Sequence, residues 1–194
     1  MIKKSLFLIL ILMFVSLPCM AAQQATINEI KEYIVKCASE MGVEPEIALS
    51  IAKQESGFCQ EKRSGMGAVG VFQIMPSTAR KIGFNPYHYK DNIKGGIAYY
   101  KQLKRIFKTD ELALAAYNAG PGNVKRYGGM PPFVETKKFV RIVLVNYNQY
   151  KNNPDSSVAS YLAAAKEQQQ HEKQVIADKE HREMITLFML NQAI

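Results

Sequence analysis

The 194-residue chain has no tryptophan, an absence that excludes no class of fold. Its three cysteines and three histidines are more informative. No histidine lies near Cys37 or Cys59, and His88, His171 and His181 are scattered, so no metal site is expected. No stretch alternates apolar and polar residues as a half-buried strand would, which leaves a mainly α fold. No recognisable nucleic-acid module is present, and nucleic acid is not an expected partner. Beyond the N-terminal segment, no apolar run is long enough to span a membrane. Aspartate is absent between Glu55 and Lys90, where the one other acid is Glu61.

What is present begins with that N-terminal segment. Lys3 and Lys4 precede an apolar run from Leu6 to Val15, Pro18 breaks it, and Ala21 and Ala22 follow. The pattern predicts a secretory signal peptide over residues 1–22, too short in its apolar part for a permanent span. Cys19 offers a lipidation alternative, but it follows Pro18 without the run of small residues a lipoprotein site needs. An exported protein, periplasmic or associated with the cell wall, is therefore expected, either free of the signal or anchored by it. Removing Lys3 and Lys4 lowers the net charge from +8 to +6, and a basic surface favours an anionic partner. The two remaining cysteines, Cys37 and Cys59, would meet an oxidising compartment, so one Cys37–Cys59 disulfide is expected, with two free buried thiols as the alternative.

From Ile27 to about Tyr150 the apolar spacing is helical. Thr26 or Asn28 can cap a first helix ending at Met41-Gly42, and Pro45 opens a second. Ser64 to Gly70 reads as irregular, with at most two residues of strand. Pro76 starts a short helix and Asn85-Pro86 marks a turn. Asn92 is placed as the cap of the next helix and Asp110 as the cap of the one after, which stops at Gly120-Pro121-Gly122. Pro131-Pro132 precedes a long helix bearing Thr136, Val140, Val143, Leu144 and Tyr147 on one face. Residues 152–157 read as a linker. Residues 151–194 read as a polar tail of helical composition whose apolar cluster, Met184 to Leu190, is a possible docking helix.

Glu55 is the residue that carries chemistry. It continues the row Ile47-Ile51 at four-residue spacing, so it shares their helix face. A carboxylate there is partly desolvated, and desolvation raises its pKa toward the range a general acid needs. A structural Glu paired with a lysine satisfies the same position equally well on spacing alone.

The surrounding motifs separate these readings. Gln54-Glu55-Ser56-Gly57 is followed by Gly67-Ala68-Val69-Gly70-Val71-Phe72-Gln73-Ile74-Met75-Pro76, then Asn92-Ile93 with Gly95-Gly96, then Ala115-Ala116-Tyr117-Asn118-Ala119-Gly120. Glu135-Thr136 with Phe139-Val140 follows, with Phe139 where Tyr is more usual. Together these resemble the soluble lytic transglycosylase (SLT) domain over roughly residues 23–150, which implies a lysozyme-like, goose-type helical fold with a peptidoglycan groove and no cofactor. The resemblance implies that Glu55 protonates the bond between N-acetylmuramic acid and N-acetylglucosamine, then takes the proton of the muramic C6 hydroxyl, giving a 1,6-anhydro end. It implies that Tyr117 hydrogen-bonds Glu55, and that Ser64, Gln73 and Met75 contact substrate. Asn118 either contacts substrate or holds the Tyr117 loop, and Ser56 is structural. It also implies service to a secretion, conjugation or pilus machine. Most glycosidases use two carboxylates. The lack of a second one near Glu55 favours a transglycosylase over its alternatives, a goose-type lysozyme or a non-catalytic peptidoglycan-binding factor.

Overall fold

A computed structural model describes residues 25–192, and the expected signal peptide lies outside them. Helix α1 (Ile27–Glu40) is started by a capping box: the Thr26 hydroxyl accepts from the Glu29 N–H at 3.2 Å, and Glu29 accepts from the Thr26 N–H at 2.7 Å. Its buried face carries Ile30, Ile34, Val35, Cys37 and Ala38. Helix α2 (Pro45–Ser56) opens on Pro45 and ends at Gly57, whose φ of 65° lies in the left-handed region. Ile47 to Ala52 are all buried, because α2 runs through the centre of the domain between α1 and α7.

Four further helices complete the bundle: α3 (Pro76–Lys81), α4 (Tyr89–Phe107), α5 (Asp110–Ala119) and α6 (Pro121–Arg126). The long α7 (Val134–Asn152) packs on α2 and α5, burying Thr136, Phe139, Val140, Val143 and Asn146. Among the described residues strand pairing amounts to two isolated bridges, Arg63 with Val69 and Val69 with Ile74, which share Val69 of the segment expected to be irregular and reach just beyond its two ends.

The structure differs from the sequence expectations at several points. Asn92 caps nothing; α4 begins three residues earlier, and Asn92 is fully buried in its first turns. The cap of α5 is Thr109, whose hydroxyl accepts from the Leu112 N–H, while Asp110 pairs with Lys104 at 2.7 Å. Gly120-Pro121 ends α5 but also starts α6, since proline suits a first helical turn.

The expected linker is short. Asp155 pairs with Lys31 of α1 at 2.7 Å, both side chains being largely buried, and Ser157 and Val158 are buried beside it. From there the tail forms one helix, α8 (Ser156–Gln192), whose beginning packs on α1. No helix among the described residues is long and apolar enough to cross a membrane.

The expected Cys37–Cys59 disulfide is also absent. Both thiols are free: Cys37 is buried on the inner face of α1, and Cys59 is exposed beyond the end of α2. Each has found other company. The Cys37 thiol lies against Tyr33, and burial pushes its pKa up; the Cys59 sulfur contacts the Glu61 carboxylate at 3.5 Å.

Candidate active site

Glu55 stands in the last turn of α2, above the buried Ile47 and Ile51, and is itself half-buried. Burial pushes its pKa from 4.5 to about 7; the Lys62 ammonium pulls the other way, and the Glu135 carboxylate adds to the rise. The position agrees with this direction, because the C-terminal end of a helix carries partial negative charge. At neutral pH a large share of Glu55 holds its proton and can donate it.

The loop after α2 is pinned by side chains from every side. Ser56 donates to the Val71 carbonyl at 2.8 Å and accepts from the Cys59 N–H at 3.0 Å, which confirms a structural place for it. Asn92 does more. Its Oδ1 accepts from the Phe72 N–H at 2.8 Å, and its Nδ2 donates to the carbonyls of Val69 at 2.7 Å and Pro86 at 3.0 Å. The glycines of the motifs make room for this clamp. A Cβ on Gly70 would fall 2.4 Å from the Asn92 amide, and one on Gly96 would fall 2.3 Å from the Phe72 ring. Gly96 therefore lets the loop's central side chain, fully buried Phe72, lie directly on α4.

The loop in turn meets Tyr117 of α5. The Tyr117 hydroxyl donates to the Phe72 carbonyl at 2.8 Å, and its ring packs on Tyr99 with centroids 5.4 Å apart. Burial, then the nearby Glu55 charge, raises the Tyr117 pKa well above its ordinary value, so it remains a neutral hydroxyl. The expected pairing of Tyr117 with Glu55 is thus an electrostatic neighbourhood, with the hydroxyl proton directed at the loop.

Beside Tyr117 a cavity of about 340 Å³ is lined by Gln73, Met75, Tyr99, Tyr117, Asn118 and Pro121, among others. Four residues expected at the site, Gln73, Met75, Tyr117 and Asn118, come together there. Met75 is 40% exposed and offers an apolar wall. Gln73 has a φ of 44° and donates its amide to the carbonyls of Lys62 and Gly70, which leaves its side-chain oxygen as the free polar group. Asn118 accepts from the Thr136 hydroxyl at 2.7 Å, tying α5 to α7. Ser64 does not line this cavity: its hydroxyl accepts from the Ala68 N–H at 2.9 Å and closes a turn.

Sequence reasoning missed Glu135 as a neighbour of Glu55, because the pairing is made by α2 and α7 packing together. It also missed Tyr99 as a wall of the cavity. Among the described residues no three His, Cys, Asp or Glu side chains gather to hold a metal ion. Larger hollows of about 570 and 490 Å³ flank Tyr89, and neither is lined by Glu55 or Tyr117.

A helical bundle with one half-buried carboxyl of raised pKa, coupled to a tyrosine that lines a cleft, defines a class, and sequence and structure comparisons identify the family. The Transglycosylase SLT domain family matches residues 32–140, more than half of the chain, and the chain belongs to that family. It is 34% identical over 128 residues to the soluble lytic murein transglycosylase of Salmonella typhimurium, covering 53% of this chain and 20% of that protein. It is 30% identical over 118 residues to the transglycosylase of Enterobacteria phage PRD1, covering 60% and 42% respectively. Among solved structures it resembles an inactive mutant of the lytic transglycosylase Slt of Pseudomonas aeruginosa, with a TM-score of 0.56 and 33% identity over 66% of this chain and 25% of that one. The 70 kDa soluble lytic transglycosylase of Escherichia coli gives a TM-score of 0.55 at 30% identity, with the same coverage. The chain thus spans between a fifth and somewhat under half the length of these relatives, and the helical, lysozyme-like domain is the part they share.

Proposed function

We propose that this protein is a peptidoglycan lytic transglycosylase that cuts between N-acetylmuramic acid and N-acetylglucosamine. The observation that carries the reading is Glu55: a half-buried carboxyl whose pKa burial pushes up to about 7, coupled to Tyr117, which lines the cleft with Met75 and Tyr99. Protonated Glu55 gives its proton to the bridging oxygen as the bond to C1 breaks. The resulting carboxylate then takes the proton of the muramic C6 hydroxyl as that oxygen bonds to C1, which closes a 1,6-anhydro ring and restores Glu55 to its acid form. No water enters the balance. Tyr117 acts as a positioning residue: by holding the Phe72 carbonyl it fixes the loop, and its hydroxyl oxygen can accept a hydrogen bond from protonated Glu55. Gln73 and Met75 contact the sugars, while Asn118 supports the wall through Thr136.

Glu135 lends specific support to a second reading, hydrolysis. A second carboxylate close enough to act on Glu55 is what a water-activating glycosidase uses. Mass spectrometry of muropeptides released from murein sacculi separates the two. Ends one water lighter than the hydrolytic product are expected; release of reducing ends alone overturns the transglycosylase reading.

The setting proposed is the cell envelope, reached by export, where local wall opening serves an assembling secretion, conjugation or pilus machine. The support for a docked role is α8, which leaves the domain after its first turns and is exposed at its described positions between Lys166 and Met184. Deleting residues 166–192 is expected to leave cleavage intact and abolish co-purification with the machine. Unchanged co-purification rejects the docking role.

A further inference from the structure

A hollow of about 490 Å³, the size of a small-molecule site, opens where the start of α8 lies against α1 and the start of α4. Three helices give it one ring each: Tyr33 from α1, Tyr89 from α4 and Tyr161 from α8. None of its walls is shared with the cleft beside Tyr117. Its α8 wall lies beyond residue 140, so it belongs to the tail and not to the matched domain. The Lys31–Asp155 pair at 2.7 Å and buried Ser157 and Val158 hold that wall against α1.

The lining charges cancel. The walls carry two carboxylates, Glu29 and Glu32, and two ammonium groups, Lys36 and Lys90. Neither an anion nor a cation meets an excess of opposite charge there. A cation meets a further obstacle, because Lys90 already stands over the rings of Tyr33 and Tyr89, 5.6 and 5.8 Å from their centroids. Tyr161 differs. Among the described residues no ring or cation lies on it, and its hydroxyl has no hydrogen-bond partner. The exposed Glu32 carboxylate is likewise without an ion pair or hydrogen bond there. A free ring face beside a free acceptor suits a neutral ligand, apolar on its faces and rich in hydroxyl groups at its edge. A pyranose sugar is such a ligand: its C–H groups lie on the ring while its hydroxyls donate to the carboxylate. Tyr89 also walls the neighbouring hollow of about 570 Å³, together with Tyr87 and His88, so a polymer has a path across both.

We infer that this hollow is a second, non-catalytic glycan site, built by the first turns of α8, that holds the wall polymer while the cleft cuts it. That the glycan is N-acetylated and β-1,4-linked rests on the murein reading of the cleft. A sugar seated on Tyr161 takes roughly 50 Å² of apolar surface out of water, worth roughly five- to tenfold in affinity. No ion pair forms, so salt has little effect on it.

The test is a two-dimensional NMR titration of the full chain with chitohexaose, a neutral β-1,4 oligomer of N-acetylglucosamine, with Glu55→Gln present to prevent turnover. The amides of Ser160 and Tyr161 report the hollow, and those of Asn118 and Gly120 report the cleft. Both pairs are expected to shift, each with its own saturation, at low and high salt alike. Tyr161→Leu keeps apolar bulk against the core, and Ala164→Arg sets the long side chain of a good helix former at an exposed wall position. Each is expected to weaken the response at the hollow roughly five- to tenfold and to leave the response at the cleft, with Ala164→Arg melting at the wild-type temperature. Unshifted amides at the hollow, or a response there that both variants keep, overturns the inference. A response at the hollow that high salt abolishes marks an ionic contact and also overturns it. A response at the hollow with none at the cleft supports the inference while removing the murein reading of the cleft. The reverse pattern keeps that reading and overturns the inference.

Discussion

Replacing Asn92 with alanine would uncouple the site from the bundle that carries it. The side chain serves three backbone groups, but the loss is unequal. The Val69 carbonyl keeps the Ile74 N–H at 3.1 Å, and the Pro86 carbonyl keeps the Gln60 amide at 3.2 Å. The Phe72 N–H has no such reserve and becomes an orphaned donor in a fully buried environment. An unpaired buried donor costs about 1–3 kcal/mol, and the lost side-chain packing adds to it, for a total of about 3 kcal/mol. For a domain of this size that lowers the melting temperature by roughly 6–12 °C. Phe72 also presents the carbonyl that holds Tyr117, so murein clearing should fall more steeply than stability at temperatures where both proteins are folded. Asn92→Asp keeps the acceptor for Phe72 but turns a carboxylate toward two carbonyls, so it should be least unstable at low pH. Thermal unfolding followed by circular dichroism measures all three proteins. An Asn92→Ala melting point within about 2 °C of wild type refutes the clamp.

Cleavage should decline as pH rises through about 7, because Glu55 loses the proton it donates. Glu135→Gln removes a charge that favours the protonated form, so this limb should move to lower pH; an unmoved limb contradicts the coupling. The same shift sets stability. Folded Glu55 keeps its proton to about pH 7 and the unfolded form releases it near 4.5, so stability should fall as pH rises between these values. Glu55→Gln should flatten that fall, by up to about 3 kcal/mol. Gly96→Ala forces a methyl into the Phe72 ring and should destabilise by about 1–3 kcal/mol in urea unfolding; wild-type stability would show that α4 and the loop are not in direct contact. Alkylation of the native protein should label Cys59 quickly and Cys37 only on unfolding, whereas protection of both until reduction would restore the disulfide.

Much of this architecture was legible because local signals and tertiary demands coincide. Thr26, one of two candidate caps, with Pro45 and Pro76, marks helix starts by backbone chemistry that needs no tertiary context. The row Ile47-Ile51-Glu55 foretold a desolvated carboxyl for the same reason. Asn92 misled because an asparagine near a helix start looks like a cap; its partners, Phe72 and Val69, lie 20 and 23 residues away. Glu135 was invisible as a neighbour of Glu55 because the sequence argument compared acids along the chain, while α7 brings its own across the fold. The disulfide failed for a related reason: composition and compartment favour a bond, but α1 turns Cys37 inward and the loop leaves Cys59 outside.

Turnover of purified murein by wild type and Glu55→Gln, with sacculus binding measured beside it, tests the role of Glu55 most directly. Glu55→Gln keeps the shape of the side chain and removes its proton chemistry. Wild type should release anhydro-ended fragments, and the variant should bind sacculi as well as wild type while releasing none. Equal release by the two proteins would contradict the assignment of Glu55 as the acid and base of this site.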